Sequence, residues 1–257
     1  MPNLVDMLEA GVHFGHKKER SHPKAKEFIF MLRDGVYVID LDKTVSCLDE
    51  AIKYLKKQLD DGKTILFVGT KRQAKVYTQT LADDLGMPYI IHRWLGGTMT
   101  NFETIKRNLK ELDRLEAQTK SDEFKEFTKK EQKVIKEKMD KLLLTFGGVR
   151  KMNTLPDVIF VVDSAREDLA VTEANKMNIP VVGTCDTDAD PSKLTFAIPA
   201  NDEAIKSLEM IFGELRAGLL GGKTTKIAAK ENKEKEEVKS GQKSDQPAPK
   251  GSKEKNG

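Results

Sequence analysis

Val158-Ile159-Phe160-Val161-Val162, bounded by Asp157 and Asp163, decides how the rest of the chain is read. A strand with one face in water alternates polar and apolar residues, and this run does not. It reads as a strand buried on both faces, as in a parallel sheet covered by helices on each side. Working outward, residues 36–39, 64–68, 89–91, 181–184 and 196–198 are short apolar runs bounded by Asp, Gly or Pro. Helical periodicities lie between them: Val45, Leu48, Ile52, Leu55 and Leu59, then residues 74–85, 169–177, and Ala204, Leu208, Ile211, Phe212 and Leu215. The alternation predicts an α/β fold, a doubly wound, mostly parallel sheet.

Residues 101–146 break this alternation. Ile105, Leu109, Leu112 and Leu115 form one helical stripe, Ile135, Met139, Leu142 and Phe146 a second, and Thr119-Lys120-Ser121-Asp122 interrupts them. Narrow stripes with charged flanks predict an antiparallel coiled-coil hairpin, with arms of about 20 residues reaching about 30 Å. Arg93-Trp94-Leu95-Gly96-Gly97-Thr98-Met99-Thr100-Asn101-Phe102 joins it to the preceding strand. Gly96-Gly97 permits backbone angles that other residues avoid, Thr98, Thr100 and Asn101 can cap the next helix, and Arg93-Trp94 either offers a polyanion or a neighbouring protein a cation beside the single indole or packs the Trp in a minor core with the Arg exposed beside it. The expected organisation is residues 1–100 and 147–222 as two parts of one α/β domain, 101–146 as the hairpin insertion, and 223–257 as a disordered tail. That tail is Lys/Glu-rich and has almost no large apolar side chains to offset chain entropy.

The net charge of +3 conceals an asymmetry. Residues 1–151 carry 29 Lys and Arg against 23 Asp and Glu, residues 152–222 carry 5 against 12, and the tail carries 10 against 6. A basic first part and an acidic second part suit a protein with one face toward phosphate and another toward a different partner. Cys47 and Cys185 have no paired spacing, which fits a reducing compartment. The chain starts without a signal-like segment and has no membrane-length apolar run, so a cytoplasmic location is expected.

Several motifs in one order resemble the bacterial ribosomal protein S-two family of the small subunit: residues 8–16 (LEAGVHFGH), 34–44 (DGVYVIDLDKT), 67–74 (FVGTKRQA), the 93–102 run, 155–163 (LPDVIFVVD), 179–182 (IPVV) and 198–204 (IPANDEA). The resemblance spans about residues 4–222. It implies a Rossmann-like (flavodoxin-like) sheet with an inserted coiled-coil hairpin. It also implies a structural, non-enzymatic role on small-subunit (16S-type) ribosomal RNA between head and body. The implied partners are neighbouring small-subunit proteins and the large RNA-binding protein S-one, which the family helps to dock. It implies no cofactor, no membrane, no small-molecule substrate and no homo-oligomer.

Candidate RNA-binding residues follow from charge and placement. Lys17, Lys18, Arg20, Lys24 and Lys26 put five cations against one acid, Glu19, in a segment with Pro23 and no helical stripe, which suits contacts to a phosphate backbone. Lys71 and Arg72 follow the strand ending at Val68, where a helix N-terminus would add its own attraction for an anion. Arg93 and Trp94 in the junction and Asn101, Lys106 and Arg107 at the hairpin's start complete the set.

Other chemistries are weighed against this. His13, His16 and His22 could in principle hold zinc but lack a Cys or fourth ligand, and packing suits His13 beside Phe14 better. Residues 218–224 (GLLGGKT) are one residue short of a phosphate-binding loop and read as a helix end. The rival function is a haloacid-dehalogenase-like, magnesium-dependent phosphohydrolase. Asp40 and Asp42 would be nucleophile and acid/base, with Thr70, Asp163 and Asp168 as further motif residues. Against it, Asp40 and Asp42 can simply end a strand and cap a helix starting at Lys43.

Overall fold

A computed structural model describes residues 2–221 and resolves them into two sheets. The expected disordered tail lies outside the described residues. After a short helix α1 (Leu4–Glu9), strands β1 (Phe14–Lys17), β2 (Ile29–Arg33) and β3 (Val36–Ile39) form an antiparallel sheet in the order β1-β3-β2. The main sheet is parallel: β4 (Ile65–Val68), β5 (Tyr89–Ile90), β6 (Val158–Val161), β7 (Val181–Cys185) and β8 (Phe196–Pro199). Its order, β5-β4-β6-β7-β8, is the flavodoxin-like arrangement, with the switch of direction between β4 and β6.

One strand departs from expectation. Residues 36–39 are read above as part of the parallel sheet, yet β3 is the central strand of the antiparallel one. The cause is local: Asp34 (φ 50°) and Gly35 (φ 80°) both take positive φ, making a two-residue turn between the paired Arg33 and Val36. Such a turn matches the twist of a tight antiparallel hairpin and leaves no chain for a crossover. The Asp-Gly pair was the signal available in the sequence.

Both faces of the main sheet are buried, because successive residues point to opposite sides. Ile65 and Phe67 of β4, with Val158 and Phe160 of β6, pack under α2 (Leu41–Asp60), α3 (Lys75–Leu85) and α7 (Ile205–Leu220) through Leu48, Leu55, Leu81, Leu208, Ile211 and Phe212. Leu66, Val68, Ile159 and Val161 face the other way, toward Ala170, Val171 and Ala174 of α6 (Asp168–Lys176).

The rest of that second cover comes from the hairpin. Its helices are α4 (Phe102–Lys120) and α5 (Lys129–Phe146), the second opened by a reciprocal cap between Thr128 and Glu131. Phe102, Ile105, Leu109 and Phe146 join the second core, whereas Leu112 and Leu115, farther along α4, are buried outside it. Each such side chain contributes about 1.5–3 kcal/mol by leaving water. The base of the hairpin is thus part of the roof over the sheet. Glu111 accepts from Lys138 at 2.6 Å, and Glu116 binds the Arg150 guanidinium at 2.9 and 2.8 Å, so ion pairs tie the two arms and their exit. Among the described residues no helix is long and apolar enough to cross a membrane.

Candidate nucleic-acid interface

The basic segment is laid down on a rigid support. Lys17 ends β1, and the chain continues through short helical turns at Lys18–Arg20 and Pro23–Phe28. The loop after β7 holds it: His16 N donates to Thr187 Oγ1 at 2.7 Å and His22 N to Thr187 O at 2.8 Å. Gly15 makes this approach possible, since a Cβ there would lie 2.6 Å from Thr187 Cγ2. The His16 ring sits 3.3 Å from Asp186 Oδ2, and that carboxylate raises its pKa to about 9 despite burial, with Asp188 and Glu203 adding to the effect. His16 is therefore a cation that neutralises part of the acidic loop beneath it. His13 packs against Phe14 with ring centres 4.1 Å apart and the planes tilted by 37°, and burial lowers its pKa. His22 Nδ1 accepts from Lys24 N and caps the second turn.

On this support Lys17, Lys18, Arg20 and Lys26 are exposed, and none has a carboxylate partner among the described residues. Lys24 differs: its ammonium bonds Asp190 at 3.0 Å and Ser192 at 2.6 Å.

Lys71 corrects its expectation. Instead of reaching outward it turns into the switch-point crevice, bonding Asp163 Oδ2 at 3.0 Å and Asp202 Oδ1 at 2.8 Å. Burial pulls its pKa down, but Asp202 and Asp163 outweigh that and raise it, so the ammonium stays charged. Burial pushes the Asp202 carboxyl up, with Asp163 and Asp186 adding to the effect. Asp163 takes a left-handed backbone (φ 66°), and its other oxygen accepts from Arg166 N at 2.9 Å. Helix α3 begins at Lys75 with Ala74 as its N-cap, as the 74–85 periodicity predicts, and Arg72 is exposed in the turn before it.

In the junction Arg93 is exposed but Trp94 is only 6% exposed, its indole packed in the second core. The expectation that Trp94 offers its ring to a partner is corrected. Its Nε1 donates to Glu173 Oε1 at 3.3 Å. Asn101 occupies the cap position of α4 without a side-chain bond to the backbone; its Oδ1 accepts from Thr104 Oγ1 at 3.0 Å. Lys106 pairs with Glu103 at 3.1 Å and lies over the Phe102 ring, while Arg107 is exposed and unpaired among the described residues. Exposed lysines 110, 129, 130 and 141 on the hairpin also lack carboxylate partners there, and the sequence expectation does not include them although α5 carries six lysines against three acids.

The phosphohydrolase residues have other occupations. Asp40 caps α2, its Oδ1 accepting from Asp42 N at 3.1 Å and Lys43 N at 3.4 Å, so the helix starts at Leu41 and the cap is Asp40 rather than Asp42. Thr70 bonds Glu167, Asp163 holds Lys71, and Asp168 pairs with Lys193.

An apolar groove of about 800 Å³ lies between α1 and the antiparallel sheet, with Val36, the strand partner of Lys17, in its lining. Leu8, Phe14, Phe30 and Met31 line it and are 58, 54, 69 and 47% exposed, and its polar rim is Arg33 with Asp34, Asp40 and Asp42.

The model of the family described as Ribosomal protein S2 matches residues 7–222. The chain belongs to the ribosomal protein S2 family. Its relatives include the small ribosomal subunit protein uS2 of Campylobacter fetus subsp. fetus, 46% identical over 223 residues that span 87% of this chain and 86% of the relative. The uS2 protein of Campylobacter concisus is 44% identical over 224 residues, spanning 87% and 86%. The family is one of structural ribosomal proteins rather than enzymes, which disposes of the phosphohydrolase reading and agrees with the cytoplasmic, ribosomal location expected from the sequence.

Proposed function

We propose that this chain is a structural constituent of the small ribosomal subunit, docking as a single copy on ribosomal RNA between head and body and offering a separate surface to protein S-one. The carrying observation is the exposed set Lys17, Lys18, Arg20 and Lys26, unpaired among the described residues, on a hydrogen-bonded support, joined by Arg72, Arg93 and Arg107. Cations held without carboxylate partners keep their charge for phosphate, and contacts of this kind position a protein on folded RNA without reading sequence. If five to seven phosphates are neutralised, log affinity for small-subunit RNA falls against log salt with a slope of roughly −4 to −6. A flat dependence would overturn electrostatic docking.

The apolar groove supports the protein-docking part. Three acids and one cation on its rim disfavour a polyanion, while Leu8, Phe14, Phe30 and Met31 expose apolar surface side by side in one groove rather than singly. Phe30→Glu is expected to weaken S-one association at least tenfold in pull-downs from purified components, with RNA affinity unchanged. Undiminished S-one binding would place that partner elsewhere.

A further inference from the structure

The junction between β5 and α4 has little backbone pairing of its own: Thr98 N donates to Leu95 O at 3.0 Å and Asn101 N to Gly97 O at 2.8 Å. Three further backbone donors, the Trp94 indole and the Thr100 hydroxyl converge on one side chain, Glu173, which reaches them from α6. Glu173 is 6% exposed. One oxygen accepts from Trp94 Nε1 at 3.3 Å and Gly97 N at 2.7 Å. The other accepts from Met99 N at 3.0 Å, Thr100 N at 3.2 Å and Thr100 Oγ1 at 3.3 Å. No cation pairs with this carboxylate among the described residues, so the converging donors alone offset its charge, as in an anion-binding nest. Burial pushes its pKa up, but the Met99, Gly97 and Thr100 donors and the indole overcome that and hold it below the usual carboxylate range.

The division between the two oxygens gives the arrangement its meaning. The first fixes the start of the junction, where Gly97 turns at φ 89°. The second fixes Met99 and Thr100, the residues just before α4. We infer that Glu173 is a positioning residue for RNA docking: it sets the path of the junction and the exit of α4, and so fixes where Arg93 and Arg107 stand. This rests on the proposed function only in taking those two cations to meet phosphate.

Glutamine at this position has nearly the same shape but turns an NH2 toward buried donors, which are then left unpaired. Full-length Glu173→Gln is tested in two ways, well below its melting temperature. Amide exchange at Gly97, Met99 and Thr100 should accelerate at least tenfold while β4 and β6 keep their protection. Affinity for protein-free small-subunit RNA should drop about tenfold. The salt slope should lose roughly one to two units, the share of the two misplaced cations. Adding Arg93→Gln and Arg107→Gln to the Glu173→Gln chain should then cost far less than it does in the natural one. Glu173→Asp, which keeps the charge but withdraws it by one methylene, should give the same changes in smaller measure and answers the question if the glutamine chain does not fold. An unchanged salt slope with additive arginine effects means that Glu173 is only structural, and overturns the inference, as does unchanged exchange in the junction. If the natural chain itself shows no salt-dependent RNA affinity, it is the proposed function that fails, and exchange still decides whether Glu173 orders the junction.

Discussion

Reversing charge at Lys17, Lys18 and Arg20 together, each to Glu, is expected to lower affinity for small-subunit RNA by a hundredfold or more and to release the protein from subunits in sedimentation. Each lost phosphate contact removes a counterion-release contribution, and each new carboxylate adds repulsion, so about 1 kcal/mol per site is a conservative figure. The melting temperature should stay nearly unchanged. These side chains are exposed and touch no carboxylate among the described residues, while the bonds that hold the segment run through the backbone of His16 and His22 to Thr187. A variant that still co-sediments at moderate salt would move the RNA face away from this segment. One that melts much earlier would show that the lysines support the fold.

Lys71→Met is expected to have the largest effect on stability, about 3–5 kcal/mol, or about 10 °C in melting temperature, because it strands Asp163 and Asp202 in the crevice without their cation. Asp202 is 2% exposed and Asp163 9%, so water cannot take the ammonium's place. Replacing both acids by Asn in the Lys71→Met background should recover a good part of the loss, which separates a charge effect from lost packing. A shift of under 2 °C would refute the crevice as a stabilising ion cluster.

The pH behaviour follows with its sign. His16 is raised to about 9, so its contribution is complete below about 6.5, its unfolded value, and disappears as pH rises through about 9. Lys71, also raised, loses its contribution only at still higher pH. Melting temperature should thus decline on the alkaline side, and His16→Gln should flatten the decline between about pH 6.5 and 9.

The two sets of charged residues show how far sequence alone can be read. Lys17, Lys18 and Arg20 were legible as exposed cations because their neighbours include only one acid and the segment has no apolar stripe. Lys71 was not, because its partners Asp163 and Asp202 stand 92 and 131 residues away. Trp94 and Glu173, 79 residues apart, present the same difficulty: an indole beside an arginine looks like a recognition element until a distant carboxylate draws it into the core.

What the sequence determined by itself is whatever local pattern specifies: continuous apolar runs for strands buried on both faces, helical periodicity for their covers, two stripes with a break for the hairpin, and ordered motifs for the family. Even the strand that was misplaced carried its answer locally, in Asp34-Gly35. Only the tertiary structure decided which charges face water and which face each other, where the hairpin stops being an arm and becomes part of the core, and which residue holds the junction. Those outcomes depend on side chains far apart in the chain meeting in a medium of low dielectric, where an unpaired charge or donor is costly. The cost belongs to the pair, and neither residue reveals it alone.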